Sequence, residues 1–161
     1  MYDLFLSFES LPLSIAFAES LFAYPIVLGI HLLALAFAVG LLGLADLRLM
    51  GVLLTEYSYS EVLDSLRPWF ISGFALVLGS GIVLFLPQAS VFYSSTLFWI
   101  KILMIALAGL NALYFEVTYR REHKQVSRKS SWLRFSPRAS GSASLAFWLT
   151  AIVLGRLLAY F

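Results

Sequence analysis

The sequence predicts an all-α integral membrane protein, a four-helix bundle preceded by a short interfacial helix. Three observations carry this. Of 161 residues, 61% are apolar and 12% charged, whereas soluble domains run at roughly 45–50% and about 25%. The charged residues leave two long gaps, 26 residues between Glu19 and Asp46 and 33 from Pro68 to Ile100. About 20 apolar residues suffice to cross a bilayer. Prolines then cut the apolar stretches into helix-sized pieces. This composition excludes a water-soluble domain, a disordered chain and a nucleic-acid binder. With no cysteine, a disulfide framework, a thiolate metal site and a Cys nucleophile are excluded too.

The elements follow in order within a single membrane domain, residues 1–161. Residues 4–19 alternate Leu4, Phe5, Phe8, Leu11, Ile15 and Phe17 with Asp3, Ser7, Glu9 and Ser14, a pattern suited to a helix lying along the membrane surface. No Lys or Arg precedes this apolar part, so no signal peptide is expected. The first span covers about 21–45. It either begins at Pro25 or kinks there, in which case Ser10-Leu11-Pro12 opens a separate short helix ending near Glu19. The second span covers 68–86, with Pro68 in its first turn, where the missing N–H costs nothing, and Pro87 ending it. A short loop rich in Gln88, Ser90, Ser94, Ser95 and Thr96 leads to a third span at 97–116. Pro137 precedes the fourth, 140–161.

Loop charge sets the expected orientation. Residues 117–139 carry seven basic groups (Arg120, Arg121, Lys124, Arg128, Lys129, Arg134, Arg138) against Glu122, and the loop at 46–67 adds Arg48 and Arg67. The first 20 residues and the 87–100 loop carry none. The positive-inside rule therefore places both loops in the cytoplasm and both termini outside. The basic balance suits anionic lipid. Trp69, Trp99, Trp132 and Tyr160 fall near span ends as interfacial anchors.

Membrane helices associate through small residues and polar contacts. Candidate packing positions are Ala36 and Gly40, then Gly73, Gly79 and Gly81, then Ala108 and Ala112, and finally Ala151, Gly155 and Ala159. They serve intrachain packing or homo-oligomerisation. At the inner end, Arg48–Glu116 or Asp46–Arg67 pairs are expected to fasten the helices.

Ionisable groups inside spans cost several kcal/mol (~2.5–3.5 on insertion scales), so His31, Lys101 and Arg156 each need a reason. His31 lies about 13 Å below the outer end of its span, and both cations roughly 6–8 Å below the outer surface. Lys101, Met104, Ala108, Asn111 and Phe115 share one face of the third span, and a polar face turns toward protein or a cavity. Tyr24, Leu28, His31, Leu35 and Ala38 share a face of the first, where Ala34 and Ala38 leave room for something flat. Haem b fits this arrangement. His31 would bind the iron, Lys101 and Arg156 the propionates, and Met104 is a candidate second axial ligand. The plainer alternatives are a hydrogen-bonded packing histidine, cations that snorkel to headgroups, and a methionine filling the core. His123, in a solvated charge run, is too far along the chain to join His31 on one haem.

Several segments together resemble a family of small bacterial four-helix membrane proteins of unknown function. They are Tyr24-Pro25 through His31, Asp46-Leu47-Arg48-Leu49-Met50-Gly51, Gly73-Phe74-Ala75-Leu76 with Gly79-Ser80-Gly81, Lys101 with Asn111-Ala112-Leu113, and Ser144-Leu145-Ala146-Phe147-Trp148 with Gly155-Arg156. The likeness spans nearly the whole chain. More distantly, the chain is similar to the CopD copper-resistance and HemJ protoporphyrinogen-oxidase membrane proteins. The HemJ likeness implies haem b, with functional positions at His31 and Lys101. Relatives carry a histidine where this sequence has Glu116, so a second histidine ligand is not expected at that position.

Three functions follow as expectations: a haem protein handling electrons or a porphyrin, a copper or small-solute transport protein of CopD type, and a non-catalytic subunit of a larger membrane complex. No hydrolase set, phosphate loop or repeat is visible.

Overall fold

The computed structural model describes residues 2–124, 136–158 and 160, with the backbone alone over 118–124. Its helices are α1 (Tyr2–Glu9), α2 (Pro12–Glu19), α3 (Ala23–Met50), α4 (Tyr59–Phe85), α5 (Ala89–Ser94), α6 (Thr96–Lys124) and α7 (Pro137–Leu157), with a 3-10 turn at Leu86–Gln88 between α4 and α5. Among the described residues there is no strand. Four stretches are long and apolar enough to cross a membrane: Ala23–Met50, Tyr59–Ser94, Thr96–Val117 and Pro137–Leu157. Many of their large apolar side chains are exposed and few are buried, as lipid-facing helices require.

Local chemistry explains where the helices begin and end. The expected surface helix breaks in two at Pro12, which cannot donate to the preceding turn. Pro25 sits in the first turn of α3, which starts at Ala23, so no kink is needed. The largest departure is at α4. It begins nine residues before Pro68, which therefore lies inside the helix instead of opening it. The cause is a capping box. Ser58 Oγ accepts from the Glu61 N–H at 3.3 Å, and the Glu61 carboxylate accepts from the Ser58 N–H at 2.8 Å. The connection after α3 is thus 51–58, shorter than the 46–67 loop expected from charge.

At the other end of that connection, α3 closes in a Schellman motif. Gly51 N–H bonds Arg48 C=O at 3.0 Å and Val52 N–H bonds Leu47 C=O at 2.9 Å, with Gly51 at φ +76°. That left-handed position favours glycine. For α7, Pro137 occupies the first turn and Ser136 Oγ accepts from the Ala139 N–H at 3.1 Å. α6 continues as helix beyond Glu116 into the basic segment, while 125–135, with Trp132 and most of the expected basic loop, lies outside the described residues.

The chain forms two compact units. The first is Met1–Leu42 with Asp64–Trp99, the second Gly43–Leu63 with Ile100–Phe161. In the first, α3 and α4 meet where a Cβ on Gly73 would lie 3.3 Å from Ala38 Cβ and 3.3 Å from Phe37 Cδ1. The same unit holds an aromatic cluster. Phe85, Phe92 and Phe98 stack with centroids 5.5–5.9 Å apart, and Phe5 of α1 stacks on Tyr93 at 4.5 Å. The Glu9 carboxylate ties α1 to this group, accepting from the Ser90 N–H at 2.7 Å and Ser90 Oγ at 2.6 Å. In the second unit, α7 buries Ser140, Gly141, Ser144, Trp148 and Ala151, one face at helical spacing.

Two packing expectations change. On α3 the buried small residues are Ala34, Ala38 and Ala45, whereas Ala36 and Gly40 are exposed; the stripe runs on the opposite face. The space expected beside Ala38 is filled by the close approach of α4 at Gly73.

Candidate functional site

His31 stands eight residues after Ala23, about 12 Å along α3. Its Nδ1 lies 2.9 Å from Ser80 Oγ on α4. That hydroxyl has one hydrogen, which it donates to the Leu76 carbonyl at 2.6 Å. With that hydrogen given to Leu76, the contact is compatible with the tautomer that carries its proton on Nδ1. Gly81 completes the seat. A Cβ there would lie 3.3 Å from His31 Cε1, so the imidazole rests on bare backbone. An imidazole whose Nδ1–H is fixed by a hydrogen bond is prepared as a metal ligand through Nε2.

The face expected on α6 is the one turned toward protein. Ala108 is fully buried, while Lys101, Met104, Asn111 and Phe115 are half-buried between exposed neighbours. Asn111 is committed to packing. Its Nδ2 donates to the Ser140 carbonyl at 3.0 Å and its Oδ1 accepts from Ser140 Oγ at 3.1 Å. This reciprocal pair clamps α6 to the first turn of α7. Asn111→Leu is expected to lower stability in detergent by about 1 kcal/mol, since Ser140, 2% exposed, would lose both partners. An unchanged unfolding midpoint would contradict the clamp.

Lys101 and Arg156 behave differently. The Lys101 ammonium lies against α7, with Nζ 3.2 Å from where a Cβ on Gly155 would stand, and no carboxylate among the described residues is within ion-pair distance of it. Arg156 donates from Nη2 to Tyr160 Oη at 2.8 Å and lies over that ring at 5.0 Å, an arrangement that carries the guanidinium toward the interfacial tyrosine. Met104 follows one turn after Lys101 on the same face. Lys101, Met104, Asn111 and Arg156 belong to the second unit and His31 to the first. The side chain of His123 and the position of Ala159 lie outside the described residues.

The end cluster also differs from expectation. Arg48 donates from Nε to the Tyr57 carbonyl at 2.9 Å and lies 4.2 Å over the Tyr59 ring. Arg67 bridges to Asp64 on its own helix at 3.6 Å. Among the described residues, no three His, Cys, Asp or Glu side chains come together as a metal site would need.

What sequence reasoning missed is the other half of each contact: Ser80, Ser140, Gly141, Ser144 and Gly155. The available signal was serine inside apolar spans, above all Ser140 and Ser144 four residues apart and Ser80 between two glycines.

Four spanning helices, with polar side chains seated on serine and glycine of neighbouring helices, define an all-α multi-pass membrane protein. The chain belongs to the family of unknown function DUF6644, whose model matches residues 21–161; α1 and α2 precede the matched region. No curated protein matches the chain, and no solved structure does.

Proposed function

We propose that this protein binds haem b through His31 in a bacterial cytoplasmic membrane, with both termini outside, and serves a redox or porphyrin-handling role. One observation supports this: the Leu76–Ser80–His31 hydrogen-bond chain, which is compatible with the tautomer that an axial ligand needs. The donor set suits haem iron, an uncharged nitrogen on a helix in an apolar surrounding. Haem would supply a one-electron carrier. The chain's own part is to orient the ring. The reading uses His31 and its supports alone; Lys101, Arg156 and Met104 are not needed for it.

The test is the visible spectrum of protein purified in detergent from cells supplied with haem. A Soret band is expected in the natural protein, lost in His31→Ala and kept in Asn111→Leu. A colourless preparation ends the haem reading. A second reading, a non-catalytic subunit of a membrane complex, is favoured by the way Asn111 is absorbed into packing. A partner that co-purifies at fixed ratio, with no chromophore, would support it.

A further inference from the structure

Asp46 is 5% exposed near the end of α3, inside the second unit. The Ser144 hydroxyl of α7 is the hydrogen-bonding neighbour of its carboxyl. Among the described residues, Oδ2 is buried with no hydrogen-bond partner. Gly141 of α7 packs closely on the Asp46 backbone, where a Cβ would lie 2.7 Å from the carbonyl oxygen and 3.1 Å from Leu49 Cβ. A carboxylate buried without a compensating charge is among the costliest states a protein interior can hold, and such a group neutralises instead.

The charged neighbours do not supply that compensation. Arg48, on the same helix, is turned to Tyr57 and Tyr59. Arg138, on α7, reaches Gly51, its Nη2 3.8 Å from where a Cβ would stand. Glu61, in the first turn of α4, is bonded to Ser58. Lys101, on α6, lies against Gly155, and Glu116, about four turns along α6 from Lys101, is itself an acid. Among the described residues no cation is within ion-pair distance of Asp46.

We propose that Asp46 is an intramembrane proton-binding site, its carboxyl carrying a proton at neutral pH against Ser144. The proton is taken from water and returned to it, with no other bond made or broken. The site lies at a structural joint, because Gly141 packs on Asp46 and the adjacent Ser140 is clamped by Asn111. Loss of the proton places an unpaired charge at that joint, so proton binding and the seating of α7 are coupled. The folded state then holds a proton that the unfolded chain has released, and stability falls as pH rises.

Infrared spectroscopy of the full chain in detergent tests this. The expected result is a protonated-carboxyl C=O band at neutral pH that disappears at alkaline pH, shifts in Ser144→Ala and is absent in Asp46→Asn. The natural protein should also unfold at progressively lower temperature as pH is raised, and Asp46→Asn should remove most of that slope. Absence of the band at neutral pH, or its persistence unshifted in both variants, overturns the proposal, because Asp46 would then be ionised and paired with a basic side chain. Should Asp46→Asn fail to fold, the natural protein's own pH dependence and the Ser144→Ala shift decide the matter.

Discussion

Gly141→Ala is expected to destabilise the protein by roughly 1–3 kcal/mol, the largest effect of any single methyl considered. The added carbon would stand 2.7 Å from the Asp46 carbonyl oxygen, 3.1 Å from Leu49 Cβ and 3.2 Å from Met50 Cγ. Met50 Cγ can swing aside. The Asp46 oxygen is helix backbone and cannot move without shifting α3 or α7. Gly109→Ala is the internal control. Nothing lies within 4 Å of a Cβ there, and alanine is the better helix former by about 0.5–1 kcal/mol, so that variant should be neutral or slightly more stable. Unfolding in detergent by heat or denaturant measures both. Equal midpoints for Gly141→Ala and the natural protein would show that the α3–α7 contact is looser than described.

If the protein binds haem as proposed, Ser80→Ala is expected to weaken haem retention about 10–100-fold while leaving the helices intact. The hydroxyl touches no cofactor; it acts through His31, bonding Nδ1 while giving its own hydrogen to Leu76. Without it the imidazole loses that bond and turns more freely on the bare backbone of Gly81. Titration of the purified apoprotein with haem measures the loss, and the width and position of the Soret band report the ligand's altered setting. A merely structural Ser80 would lower thermal stability and leave the spectrum of the bound form unchanged. Identical affinity and spectrum in Ser80→Ala would remove the argument from tautomer to ligand.

Much of the architecture was legible in the residues. Charges are so costly in hydrocarbon that their placement marks the span limits, and the polar stripe from Lys101 to Asn111 had to turn inward. The start of α4 was not legible in the same way. Ser58-Tyr59-Ser60-Glu61 is a capping box whose signal was outweighed by Pro68, a residue equally at home opening a helix and tolerated within one. The small-residue face of α3 was misplaced because Ala34 and Ala36 differ by half a turn, and composition cannot say which meets α4.

Hydropathy, charge and proline by themselves determined that this chain is a multi-pass helical membrane protein with His31, Lys101 and Asp46 held within or at the edge of its spans. Only the tertiary structure decided what each of those groups meets. Ser80 pins the imidazole, Ser140 absorbs Asn111, and Asp46 is left with one buried carboxyl oxygen that has no hydrogen-bond partner among the described residues. The reason is physical. Transfer into the membrane depends on each residue's own solvation and adds along the chain, whereas a hydrogen bond between helices depends on register and rotation to within an ångström, and no local stretch of sequence encodes that alignment.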